Sequence, residues 1–231
     1  MKISVVIPCY IGHVNELLRL LSSLESQTRL PDEVVISCSS TKEFIELREY
    51  KFPVKLYIHE EYKNAAQNRN IATLHIDKDT DIICFFDADD LMCNQRLEVI
   101  DYIFTTSSSC SRECDIVLHN FISNITSTSE INDFLSKQLN INEYDIIYDN
   151  LISYPSRCAT HIKKYGDMGI IHHSQVSIRK YLFDKVQFLE DDHIKGKEDC
   201  FFCSDILSLP NIKNAYIKNP MSIYNGSGSN Y

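Results

Sequence analysis

Apolar residues fall in short unbroken runs along the first part of the chain: residues 3–9 (I-S-V-V-I-P-C), 33–36, 54–58 (V-K-L-Y-I) and 82–86 (I-I-C-F-F). Runs of this length bounded by polar residues fit strands buried on both faces of a sheet. Pro8 stands at the end of the first, where a missing N–H does least harm. Between the runs, residues 12–27 place Val14, Leu17, Leu18, Leu20, Leu21 and Leu24 close to one helical face. Residues 41–50 read as a short helix, and residues 64–76 (N-A-A-Q-N-R-N-I-A-T-L-H-I) as another. Four strands alternating with three helices imply parallel strands joined by right-handed crossovers, an α/β, Rossmann-like half expected to bind a nucleotide. Neither G-x-G-x-x-G nor a Walker A loop occurs, so a dinucleotide cofactor or a P-loop does not account for it.

The second half is less regular. Residues 93–106 read as a helix and 115–122 as a strand, with Ser/Thr-rich loops at 107–110 and 123–129, while 131–152 gives mixed signals. Residues 169–178 are strand-like but interrupted by His172, His173, Ser174 and Gln175, which suggests a site wall or an edge. Residues 197–209 read as a helix with Phe201, Phe202, Ile206, Leu207 and Leu209 mostly inward; Glu198 and Asp199 fall in its first turn, where backbone N–H groups favour negative charge. Residues 215–217 read as a last strand, and 225–231 (N-G-S-G-S-N-Y) as a flexible tail.

At 231 residues the chain is long enough for a sizeable core, as one large domain or two small ones. Its formal net charge of -9 disfavours nucleic acid or an anionic membrane as partner. The sequence has no apolar segment of about 18 residues and no signal peptide, so a cytoplasmic location is expected. Nine cysteines, several in strand-like contexts (Cys9, Cys38, Cys84), point to reduced thiols. Cys110 with Cys114 and Cys200 with Cys203 have closer spacing, but neither flank has the look of a structural zinc site.

The chemistry centres on D-A-D-D, residues 87–90, directly after the 82–86 run. Clustered carboxylates at the mouth of a buried strand repel one another unless a cation sits between them. A few oxygen ligands suit Mg2+ or Mn2+ that keeps waters and completes its shell with phosphates. In an open α/β sheet the ligand crevice lies beyond the carboxyl ends of the strands, where this cluster falls.

Four pieces in fixed order, I-S-V-V-I-P-C-Y (3–10), A-Q-N-R-N-I-A (66–72), F-F-D-A-D-D (85–90) and G-K-E-D-C-F (196–201), together resemble the GT-A fold glycosyltransferases of family 2. The resemblance implies a single domain over 1–231: a mostly parallel nucleotide-sugar-binding half over about 1–100, with helices on both faces, and an irregular acceptor-binding half over about 101–231 that supplies the catalytic base. By the same resemblance, Pro8, Cys9 and Tyr10 line the base pocket with Ser39 at the second strand's end. Arg69 lies near the base or diphosphate, Asp87 reaches the ribose, and Ala88 spaces it from Asp89. Asp89, with Asp87 as a further candidate ligand, holds Mn2+ or Mg2+ on the diphosphate. Asp199 is the catalytic base; Glu198 is left to orient it, bind an acceptor hydroxyl or face solvent. His173 and Gln175 lie where the family shapes its acceptor pocket, and His161 and His172 are further histidines of undecided role. The implied reaction is inverting transfer from a nucleotide sugar, UDP-linked first, to a glycan or glycoconjugate hydroxyl.

The chain departs from the family pattern in places. Ser37, Cys38 and Ser39 stand where many members carry paired aspartates, Asn68 replaces an alanine and Ala72 a glycine, and no Q-x-x-R-W follows the E-D pair. Two other readings compete: a non-catalytic nucleotide-sugar or glycan-binding module of the same fold, and a phosphatase of haloacid-dehalogenase type, whose D-x-D nucleophile motif also follows a buried strand. An EF-hand is excluded because Leu91 and Met92 occupy ligand and turn positions of the loop.

Overall fold

A computed structural model describes residues 1–42, 46–109, 114–123, 125, 127–154, 159–162, 174–194 and 196–225, with the backbone alone at 107–109, 152–154 and 159–162. In chain order the elements are β1 (Ile3–Tyr10), α1 (Val14–Leu24), β2 (Glu33–Ser39), β3 (Val54–Ile58), α2 (Ala65–Thr73), β4 (Ile82–Phe85), β5 (Leu91–Met92), α3 (Arg96–Ser109), β6 (Ile116–Ser123), α4 (Thr128–Ser136), β7 (Ile146–Tyr148), β8 (Leu151–Tyr154), β9 (Ala159–Ile162), β10 (Ser177–Arg179), α5 (Lys180–Phe183), α6 (Glu198–Ser208) and β11 (Asn214–Tyr224).

Among the described residues these strands form a nine-stranded sheet, ordered β3-β2-β1-β4-β10-β6-β11-β5, with β7 also paired to β11 and a separate β8-β9 hairpin. Strands β3, β2, β1, β4, β6 and β11 run one way, and β10, β5 and β7 run against them. Alternation along the buried strands feeds two cores. Val5, Ile7, Val34 and Cys84 face α1 and α3, whereas Val6, Val35, Ile83 and Phe85 face α2, α5 and α6. Helices on both faces of a mostly parallel sheet are the expected α/β arrangement.

Several local readings need correction. Residues 41–42 and 46–50 are not helical, and 43–45 lie outside the described residues. Leu47 and Tyr50 pack on the core, and Arg48 reaches Glu25 while lying 4.3 Å over the Tyr50 ring, so tertiary contacts override the helical spacing. The strand expected at 215–217 is the long β11, hidden by Lys218, Asn219 and Pro220, which the structure absorbs in register shifts flanking Pro220. Of the described part of the segment 169–178, residues 174–178, only Ser177 and Ile178 are in a strand, β10, which wedges antiparallel between β4 and β6. Residues 169–173 lie outside the described residues.

The α6 face is keyed to the sheet by aromatic packing. Phe202 stacks on Phe188 at 3.9 Å between ring centroids, and Phe85 of β4 meets both edge-on at 5.6 and 4.9 Å. Aromatic truncation in a core costs about 3–5 kcal/mol. Phe202→Ala is therefore expected to lower unfolding stability by about that amount, and Phe202→Leu by clearly less, in urea denaturation followed by circular dichroism.

Candidate active site

At β1 the chain order reverses, with β2 on one side and β4 on the other, the place where an open α/β sheet leaves a crevice. A cavity of about 370 Å³ lies there. Its floor and walls bring together Pro8, Cys9, Arg69, Asp87, Ala88, Asp89, Glu198 and Asp199 from all four sequence pieces.

Helix α2 enters this region through a capping box: the Asn64 side chain accepts from the Gln67 N–H at 2.9 Å, and Gln67 Oε1 accepts from the Asn64 N–H at 3.0 Å. That fixes the turn on which Arg69 projects. The Arg69 side chain is 3 % exposed, donating from Nη2 to Asp87 Oδ1 at 2.7 Å and from Nη1 to Glu198 Oε1 at 3.0 Å. Its Cζ lies 5.2 Å from the centre of the Phe188 ring, and the Asn70 side chain holds Phe188 through both backbone N–H and carbonyl. Burial opposes this charge, but Asp87, Glu198 and Asp199 outweigh it and hold the guanidinium above its ordinary pKa.

After β4 the backbone turns, the Asp90 N–H donating to the Asp87 carbonyl at 3.3 Å. Burial, then the neighbouring Asp87, push the Asp89 carboxyl up to about 6, against the pull of His13. The third acid is structural: buried Asp90 accepts from the Asn225 N–H at 2.9 Å and from the Gln175 side chain, tying the turn to the end of β11. On the facing wall, Gly196 takes a left-handed φ of 74° at the entry to α6, a conformation that favours glycine. Asp199 Oδ1 accepts from the Cys200 N–H at 2.6 Å. Burial pushes the Asp199 carboxyl up to about 6; Arg69 opposes the rise, and Glu198 and Asp87 add to it.

Three residues expected at the site stand elsewhere. The Tyr10 ring packs edge-on against His13 at 4.4 Å and does not line the cavity. Ser39 is buried beneath it, donating to the Lys63 carbonyl at 3.2 Å and accepting from Asn68 Nδ2 at 3.1 Å. Gln175 is fully buried between Asp90 and Ser222, which removes its side chain from any acceptor. His172 and His173 lie outside the described residues, and the side chain of His161 is not described. The sequence reading missed His13, Tyr62, Lys63, Asn64, Leu189, Asp191, Tyr224 and Asn225, all of which line the cavity. The N-x-x-Q capping box was a readable signal for Asn64; Tyr224 and Asn225 depended on recognising the full length of β11.

Asp87 and Asp89 suit a hard divalent cation, being oxygen donors of which one is costly to ionise beside the other. Among the described residues no group of three acidic, histidine or cysteine side chains could hold a metal, so remaining ligands would come from a diphosphate and water. Nor is any described helix long and apolar enough to cross a membrane.

The fold is that of the GT-A glycosyltransferases. TarS of S. aureus in complex with UDP superposes with a TM-score of 0.65 at 16% identity, over 97% of this chain and 60% of that one. TarS with UDP-GlcNAc gives 0.66 at 16%, over 97% and 58%. The mannosyltransferase PcManGT from Pyrobaculum calidifontis, in complex with GDP-Man and Mn2+, gives 0.59 at 14%, over 99% and 58%. This chain thus spans no more than about three-fifths of those molecules. Residues 4–102, from β1 into α3, match the family described as Glycosyl transferase family 2, which bears out the resemblance read from the first three sequence pieces. No curated protein matches the chain by sequence.

The Asp199 carboxyl holds its proton up to about 6 when folded, against 3.8 ordinarily. The native state binds more protons than the unfolded chain between those values, so this group's contribution falls as pH rises through the window and stays unfavourable above it. Asp199→Asn is expected to raise unfolding stability by about 1–2 kcal/mol at about pH 7.5, with no gain below about pH 4. Urea denaturation at the two pH values reads the difference.

Proposed function

We propose that the chain is a metal-dependent inverting glycosyltransferase that moves a sugar from a nucleotide-sugar donor, a UDP-sugar first, to a hydroxyl of a glycan or glycoconjugate acceptor. The observation that carries this is the meeting of the D-A-D turn and the E-D pair in one cavity, joined through Arg69. The family match over 4–102 supports the donor half, and the nucleotide and nucleotide-sugar complexes named for TarS and PcManGT support the donor class. The GT-A fold leaves the phosphatase reading without support.

In this reading Pro8 and Cys9 border the base, and Asp89 with Asp87 would hold Mn2+ or Mg2+. The cation's part is to neutralise charge on the departing diphosphate. The Cys9 thiol is pushed up by its hydrogen bond with Cys38 and by burial, so it meets the nucleotide as a neutral, unreactive group. Asp199 is the general base: one oxygen is held by the Cys200 N–H, leaving the other to take the acceptor proton. The acceptor oxygen forms its bond to the anomeric carbon as the bond to the diphosphate breaks, and the proton passes to Asp199. A carboxyl near 6 is ionised at neutral pH yet basic enough to draw that proton. Arg69 holds Asp87 and Glu198 at a fixed separation, setting donor and acceptor sides in register.

Asp199→Asn is expected to lower kcat by at least about a thousandfold with little change in donor affinity, whereas Asp89→Ala weakens metal-dependent donor binding by at least about tenfold. Equal loss of donor binding in both variants contradicts the division of roles. With Asp199 as the base, log kcat/KM of the wild type falls with unit slope as pH drops through about 6. A profile flat to about pH 5 sinks the assignment of the base.

A further inference from the structure

The turn that carries Asp89 is pinned on both sides by side chains. Ahead of Asp89, Asp87 is held by Arg69 at 2.7 Å. Behind it, Asp90 is 1% exposed and receives a donor on each oxygen: the Asn225 N–H on Oδ1 at 2.9 Å, and Gln175 Nε2 on Oδ2. Gln175 is itself fixed. Its Oε1 accepts from the Ser222 hydroxyl and its carbonyl accepts from Arg96 Nη2 at 2.6 Å. The carbonyl of the next residue, Val176, accepts from the Phe85 N–H of β4 at 2.9 Å. Gln175, Ser222 and Arg96 are all fully buried, whereas the neighbouring Ser174 and Asn225 line the same cavity as Asp89. This joint therefore lies directly behind the cavity wall.

A carboxylate that takes donors on both oxygens makes charge-assisted bonds, roughly twice as strong as neutral ones, so the joint is stiff. Stiffness matters to the residue beside it. Mg2+ and Mn2+ hold their oxygen ligands at short, well-defined distances, and the groups that orient a ligand weigh on affinity nearly as much as the ligand does.

We propose that Gln175 is a positioning residue for the cation site: by holding Asp90 it fixes the turn, and with it the place from which Asp89 presents its carboxylate to the metal and the diphosphate. This rests on the transferase reading and deepens it. Gln175 acts through Asp90 alone, from full burial, which gives a role to a polar residue that the structure removes from the acceptor.

The test is Mn2+ affinity at saturating UDP, read from the free-ion signal in electron paramagnetic resonance on the full chain, with GDP substituted if UDP does not bind. Gln175→Met, close in volume but without a donor, leaves Asp90 Oδ2 unpaired and is expected to weaken Mn2+ binding at least about tenfold. The exchange of Asp90→Asn together with Gln175→Glu rebuilds the bond in reverse. The new amide donates to the new carboxylate, and the Asn225 N–H and the Ser222 hydroxyl keep their acceptors. This double variant is expected to recover most of the lost affinity. Gln175→Asn, one methylene shorter with its backbone still held by Arg96, carries the test if Gln175→Met does not fold, with a severalfold loss expected. A purely structural role lowers the melting temperature but leaves the Mn2+ affinity of the folded protein unchanged. Wild-type affinity in the folded single variant, or a double variant that binds Mn2+ no better than the single one, overturns the proposal. Mn2+ bound with nucleotide but unshifted by the substitutions defeats this inference alone, and a wild type that binds Mn2+ with neither nucleotide defeats the transferase reading beneath it.

Discussion

One buried guanidinium holds the site together. Arg69 comes from α2, Asp87 from the turn after β4 and Glu198 from the start of α6, so the ion pair joins three elements that no local sequence signal brings together. Taking such charges out of water costs several kcal/mol each, and the cost is offset only when geometry and partners are good. The planar fork of arginine answers both carboxylates at once, which a lysine point charge would not. Phe188 supports its face, and Phe85 and Phe202 lock Phe188 in turn, so the position of the charge is set by core packing.

The consequence is a division of labour among acids that look alike in sequence. Asp87 is committed on one oxygen to Arg69, Asp89 is left facing the cavity beside His13, and Asp90 turns inward to hold the end of β11. On the opposite wall Glu198 anchors and Asp199 stays costly to ionise. Carboxylates concentrated in this way tend to loosen a fold, and here the strain falls on groups whose chemistry gains from it.

Much of the nucleotide half was legible because buried parallel strands write themselves as continuous apolar runs: β1, β3 and β4 stand within a residue or two of the positions read from sequence. The E-D helix and the D-A-D turn were legible as motifs, and their meeting in one cavity follows from the topology. What the sequence concealed was set by tertiary context. Residues 46–50 are spaced like a helix but form no helix, and β11 is interrupted by Lys218-Asn219-Pro220, which reads as a turn and is accommodated by shifted pairing with β6. Gln175 looked like a site residue because polar groups crowd its segment; the partners that bury it, Asp90 and Ser222, are far away in sequence. Tyr10 and Ser39 were displaced by tertiary contacts: Tyr10 packs against His13, and Ser39 is buried against Asn68 and the Lys63 carbonyl.

The central claim is that a nucleotide sugar and a divalent cation occupy the crevice between Asp89 and Asp199. Its most direct measurement is the thermal stability of the purified chain with UDP, GDP, CDP, ADP and dTDP, each with Mn2+ and with EDTA. A ligand that binds only the native state raises stability by mass action, about 2.7 kcal/mol at a hundredfold excess over Kd. The account predicts stabilisation by one diphosphate class, UDP first, that disappears in EDTA. No stabilisation by any of the five, or stabilisation indifferent to EDTA, would contradict it.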